Sequence, residues 1–164
     1  MPSLAGMFLV ARANLRDAFF GQTVVLMLDH DEDGALGVVL NRPAQTKNAP
    51  FPVFNGGPCQ VNGFLMIHGQ DDWTDADHAP PKSICPGVYL GDESSFERVN
   101  DNPEISWRYR VFAGYSGWGP SQLEKEMSEN AWLVLPANGD LVFDTPIGEL
   151  WKKLTPSLPT PSLN

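Results

Sequence analysis

Three glycines and a serine fall within Gly114-Tyr115-Ser116-Gly117-Trp118-Gly119, and Pro120 follows. Glycine serves where the backbone needs positive φ or close approach, and proline fits the first helical turn, so the segment predicts a crowded strand-to-helix turn. Three chemistries could use it. A serine between strand and helix resembles a nucleophile elbow, but that motif needs glycine where Trp118 stands, and no His or acid is marked as partner to Ser116. Gly117-Trp118-Gly119 with Asp140 farther on resembles a dinucleotide fingerprint, except that Gln122 takes the third glycine's place. The amides of a helix start offer donors to any anion, against the charge of Glu124 and Glu126. Tight strand-to-helix packing, with no ligand at all, is the plain alternative.

Asp29-His30-Asp31-Glu32-Asp33-Gly34 reproduces the first half of a calcium loop. The second half fails, because Leu40 occupies the position where a bidentate glutamate closes the shell, and the flanks read as strands. A solvated hairpin turn is the expectation, and no metal site. His30, His68 and His78 are scattered, and Cys59 and Cys85 form neither a disulfide framework nor a CxxC pair.

These residues need elements to hold them. Met7 to Ala11 predicts a first strand, and Leu15 to Phe20 a helical turn plugging the core. Thr23 to Leu28 and Ala35 to Leu40, joined across Asp33-Gly34, predict a hairpin. Phe51 to Phe54 and Phe64 to His68 predict two more strands, separated by Asn55-Gly56-Gly57-Pro58; Ala44 to Pro50 is a polar link without helical periodicity. Asp71 to Pro81 reads as an exposed loop, Val88 to Leu90 as a brief strand, and Ser94 to Asn100 as a short helix with Asp92 near its cap. Trp107 to Ala113 predicts a strand, Pro120 to Asn130 a helix, Trp132 to Leu135 and Leu141 to Phe143 a hairpin across Asn138-Gly139, and Thr145-Pro146 the start of a last helix. The fold class is therefore α+β with a largely antiparallel sheet, in one domain spanning 1–154, followed by a Pro-rich C-terminal tail over 155–164.

Charge narrows the partners. At a net −9 and 19% charged residues, the chain repels phosphate backbones, so direct nucleic-acid binding is not expected. The apolar runs are strand-sized and Met1 to Gly6 lacks the pattern of a secretory signal, which predicts a cytoplasmic protein with no membrane contact.

Gly6 to Ala11, Thr23 to His30, Asp33-Gly34-Ala35-Leu36-Gly37-Val38-Val39-Leu40-Asn41-Arg42-Pro43, Gly56-Gly57-Pro58 and Gly114 to Gly119 occur in an order that resembles the bacterial YqgE/AlgH family. Gln122-Leu123-Glu124, Asn130-Ala131-Trp132-Leu133 and Leu141 to Pro146 extend the resemblance over nearly all of residues 4 to 154. It implies an α+β domain with a bent, bifurcated sheet folded into a pseudo-barrel, flanked by a few short helices. The family carries the label of transcriptional regulator, with no reaction or ligand firmly attached. Two departures stand out: the segment between Pro43 and Phe51 is shorter than usual, and Ser121 replaces a glycine before Gln122.

Asn41, Arg42, Gly56, Gly57 and Pro58 match the family's motifs, as do Tyr115, Gly117, Trp118, Gly119, Gln122 and Glu124; together they could line one ligand-binding site. Arg42 supplies a fork suited to carboxylate or phosphate, the amides near Ser121 further donors, and Trp118 a flat apolar wall. Two functions follow. One is a non-enzymatic regulatory or binding protein receiving a small anion or a protein partner, with no cofactor and no catalytic residue. The other is an enzyme of unrecognised type, a hydrolase or transferase, binding through Arg42 and using Ser116, His68 or Glu124 in a pocket around the Gly114–Gln122 turn.

Overall fold

The computed structural model describes residues 2–155 apart from 14, 16, 18, 46–48, 61, 75 and 76. The chain forms β1 (Met7–Ala11), β2 (Val24–Asp31), β3 (Gly34–Val39), β4 (Val53–Asn55), β5 (Leu65–His68), β6 (Lys82–Cys85), β7 (Val88–Leu90), α1 (Glu93–Asp101), β8 (Tyr109–Ala113), β9 (Ser116–Trp118), α2 (Gln122–Ser128), β10 (Trp132–Pro136), α3 (Gly139–Asp144) and α4 (Ile147–Leu154). Its class is α+β, as expected, with the strands divided between two five-stranded sheets in the orders β10-β1-β2-β3-β9 and β4-β8-β5-β7-β6. Neither closes into a barrel. All strand pairs are antiparallel except β4 with β8.

Both sheets are covered on both faces, which is why their strands read as continuous apolar runs. Along β1 and β2, Phe8, Val10, Val24 and Leu26 point into a central core shared with Phe54, Ile67 and Phe112 of the other sheet. Helices α3 and α4 seal that core with Val142, Phe143 and Leu150. The alternate residues Leu9, Val25 and Met27 join Trp118, Leu123 and Trp132 beneath α2. On the far side of the second sheet, Val53, Met66 and Val111 pack against Val99 of α1 and Trp73. The period of two thus splits each inner strand between two cores.

The structure corrects the expected layout in four places. Asn138-Gly139 starts a helix rather than a hairpin: the Asn138 side chain accepts from the Leu141 amide, a helix cap, and β10 pairs instead with β1. Lys82–Cys85 is a strand, unmarked in sequence because it is a short sheet edge with Lys82 and Ser83 exposed. The glycine segment holds a strand of its own, β9 on β3, so the chain leaves one sheet and enters the other at Gly114 before α2 begins at Gln122. Within the expected exposed loop, Trp73 is buried, its ring meeting His68 and Trp107. The turn expected over Leu15 to Phe20 includes residues outside the described set; among described ones, Asp17 Oδ1 accepts from the Phe19 and Phe20 amides. The tail from 156 lies outside it entirely.

Candidate functional site

Where the two sheets meet, two glycine segments cross backbone to backbone. Cys59 and Tyr115 exchange a reciprocal pair of 2.9 Å amide bonds, the Gly56 amide donates to Ala113 O, and the Gly56 carbonyl accepts from Val39 N. Ser116 is fully buried, and its hydroxyl donates to that same carbonyl at 3.0 Å. Gly114 turns the chain at φ +80°, and a Cβ there would stand 2.7 Å from Gly57 O. Close approach therefore explains Gly56, Gly57 and Gly114, whereas a Cβ at Gly117 or Gly119 would meet only ordinary contacts, and the Ser116 hydroxyl is committed to the seam.

Outside this seam lies an open groove of about 400 Å³. Tyr115, Gly117 and Trp118 line one part of it, Cys59 another, and Asp29, Asp31, Asp33, Gly34, Ala35 and Leu36 of the β2–β3 hairpin the rest. The half calcium loop is that hairpin's end, with Asp31 Oδ1 accepting from the Asp33 amide at 2.8 Å. Among the described residues, no group of three or more His, Cys, Asp or Glu could hold a metal ion.

Helix α2 is tied down behind the groove by two carboxylates. Glu126 Oε1 accepts from both indoles, Trp118 Nε1 at 3.0 Å and Trp132 Nε1 at 2.9 Å, while Oε2 accepts from Gln122 Nε2. Glu124 Oε1 lies 3.1 Å from His30 Nε2. The other ring nitrogen, Nδ1, accepts from the Leu4 amide at 2.9 Å, so the neutral ring carries its proton on Nε2 and donates it to Glu124. Glu126→Gln keeps the acceptor and removes the charge, so a loss of about 1 kcal/mol is expected in urea unfolding, with a shifted tryptophan emission. The spacing of Glu126 from Trp118 and Trp132, eight and six residues, marks the contact only once α2 is known to fold back.

The remaining sequence-predicted residues spread around this frame. Asn41 Oδ1 accepts from Val24 N and its amide group donates to Gln22 O, fixing the start of β2. Arg42 donates to the carbonyls of Gly21 and Asn41, away from the groove lining. Gln122 Oε1 accepts from the Gly119 amide, and Pro58 is exposed. His68 sits in the other sheet, beside Trp73. Ser116, Glu124, Arg42 and His68 are thus held in separate hydrogen-bonding or packing arrangements.

A family model described as AlgH-like matches residues 8–162. A UPF0301 protein of Nitrosococcus oceani is 34% identical, the match covering 88% of this chain and 84% of that protein. A UPF0301 protein of Streptomyces coelicolor is 35% identical, covering 93% and 85%. The solution structure of the AlgH protein from Pseudomonas aeruginosa matches with a TM-score of 0.70 at 26% identity, over 92% of this chain and 86% of that one. A crystal structure of a Corynebacterium diphtheriae protein matches at 0.76, over 98% and 90%; at 23% identity that likeness concerns the fold alone.

Proposed function

The chain belongs to the AlgH-like family, and from that premise we propose that it is a non-enzymatic regulatory binding protein of the cytoplasm, reaching transcription through a protein partner rather than by contact with DNA. The observation that carries this reading is the groove beside the glycine seam, where Asp29, Asp31 and Asp33 face the aromatic and glycine residues of the turn. Three carboxylates in a chain of net charge −9 disfavour a small anion and favour a basic segment of a partner protein. Arginine or lysine side chains of such a segment could pair with the aspartates and lie against Tyr115 and Trp118. Of the residues named from sequence, Tyr115, Gly117 and Trp118 are the proposed contact residues. Gly56 and Gly57 support the seam beneath them, and Gln122 and Glu124 hold α2 in place.

Fluorescence anisotropy with a labelled oligo-arginine peptide tests this. Saturable binding is expected, weakening with added salt and by about tenfold or more when Asp29, Asp31 and Asp33 are all changed to Asn, which keeps their hydrogen-bond acceptors. Binding unaffected by the triple change, or a preference for an oligo-glutamate peptide or inorganic phosphate, would remove the reading.

A further inference from the structure

A second cavity, of about 200 Å³, lies on the far side of the other sheet, and the residues bordering it include His68, Trp73, Pro80, Pro81, Lys82 and Asp92. His68 is 1% exposed, at the end of β5. Its Nδ1 accepts from the Gln70 amide at 3.2 Å, which fixes the proton of the neutral ring on Nε2. Among the described residues no hydrogen-bond partner meets Nε2. The ring is clamped between Trp73, with centroids 4.5 Å apart, and Tyr89, at 5.8 Å. It is a rigid donor bordering a cavity.

Asp92 supplies the complementary acceptor. As the cap of α1, its side chain takes hydrogen bonds from the Ser94 hydroxyl and from the Ser95 amide and hydroxyl, all on Oδ1. None of these three bonds uses Oδ2. Lys82, opposite in sign to Asp92, also borders the cavity, so the lining favours an uncharged ligand over an acid or an amine. Trp73 and the two prolines give it flat apolar walls. The volume falls below that of pockets for drug-sized ligands and suits one small ring system.

We propose that this cavity binds a small, neutral, planar heterocycle presenting a carbonyl beside an N–H, of the nucleobase or lactam kind, with the carbonyl accepting from His68 Nε2 and the N–H donating to Asp92. Donor and acceptor are then both satisfied, and the ring lies against Trp73. The site is independent of the acidic groove, and its failure would leave the basic-partner reading standing.

The test is an NMR titration of the whole isotope-labelled protein with uracil, following the His68 ring nitrogens and the Trp73 indole. A saturable shift of both is expected. The N,N′-dimethyl derivative of uracil, lacking N–H, and the variant His68→Phe, lacking the donor but retaining a ring, are each expected to weaken binding by about tenfold, the worth of one hydrogen bond. Absence of a saturable shift, equal binding of the dimethylated ring, or preference for benzoate would overturn the proposal. The comparison of the two uracils on the wild-type protein decides even if His68→Phe does not fold.

Discussion

Gly57→Ala is expected to destabilise the fold by about 4 kcal/mol or more, which places it among the exceptional single substitutions. A Cβ at Gly57 would stand 2.2 Å from both the carbonyl carbon and the oxygen of Tyr115, and 2.4 Å from the Ser116 amide nitrogen. Relief would require moving backbone, and that backbone is fastened: Tyr115 is bonded twice to Cys59, and Ser116 is bonded through its hydroxyl to Gly56. The same seam positions β9 and therefore Trp118 in the groove, so the substitution should also abolish peptide binding. Gly148→Ala is the internal control with the opposite sign. Nothing lies within 4 Å of a Cβ there, and a helical glycine replaced by alanine should gain up to about 1 kcal/mol. Urea midpoints of the two variants against wild type give the result. A Gly57→Ala protein within about 1 kcal/mol of wild type would mean that the seam yields, contrary to the packing argument.

The legible parts of the fold were those decided locally. The β2–β3 hairpin announces itself through Thr23-Val24-Val25 and an acidic turn, and α1 through Asp92, whose capping box with Ser95 involves only near neighbours. Asn138-Gly139 misled because the same dipeptide suits a hairpin turn and a helix start. The outcome depended on β1, more than a hundred residues earlier, taking β10 as its partner from Met7↔Pro136 to Ala11↔Trp132.

The candidate site divides in the same way. Glycine clusters at 56–57 and 114–119 advertised close approach, but only the assembled sheets reveal that Gly57 and Tyr115 approach each other. Arg42 reads in sequence as a fork for an anion, and its guanidinium is used by the carbonyl of Gly21, a backbone group that no side-chain pattern encodes. The aspartates of the hairpin were visible as a failed metal loop. Their position across from Tyr115 and Trp118 follows from β9 pairing with β3, a strand hidden inside the glycine segment.

His68 should make the protein lose stability in mild acid, well before carboxylates titrate. Burial lowers its pKa from the usual 6.5 to about 4; the charge of Asp92 works against that shift, as does Asp72, while Arg98 adds to it. The native ring therefore resists a proton that the unfolded chain accepts below pH 6.5, and in the window from 6.5 down to about 4 the unfolded state binds more protons. Stability is full above that window and falls as pH drops through it, by about 3 kcal/mol in all for this one group. Below the window the loss from His68 stops, and the further decline belongs to groups such as Asp92, whose carboxyl is held below its ordinary value mainly by the Ser94 hydroxyl. In His68→Phe the titrating ring is gone, so urea unfolding followed across the same window should show the pH slope reduced by this amount. Equal slopes in the two proteins would mean that His68 takes up its proton in the native state as readily as in the unfolded chain, and that its enclosure by Trp73 and Tyr89 opens in solution.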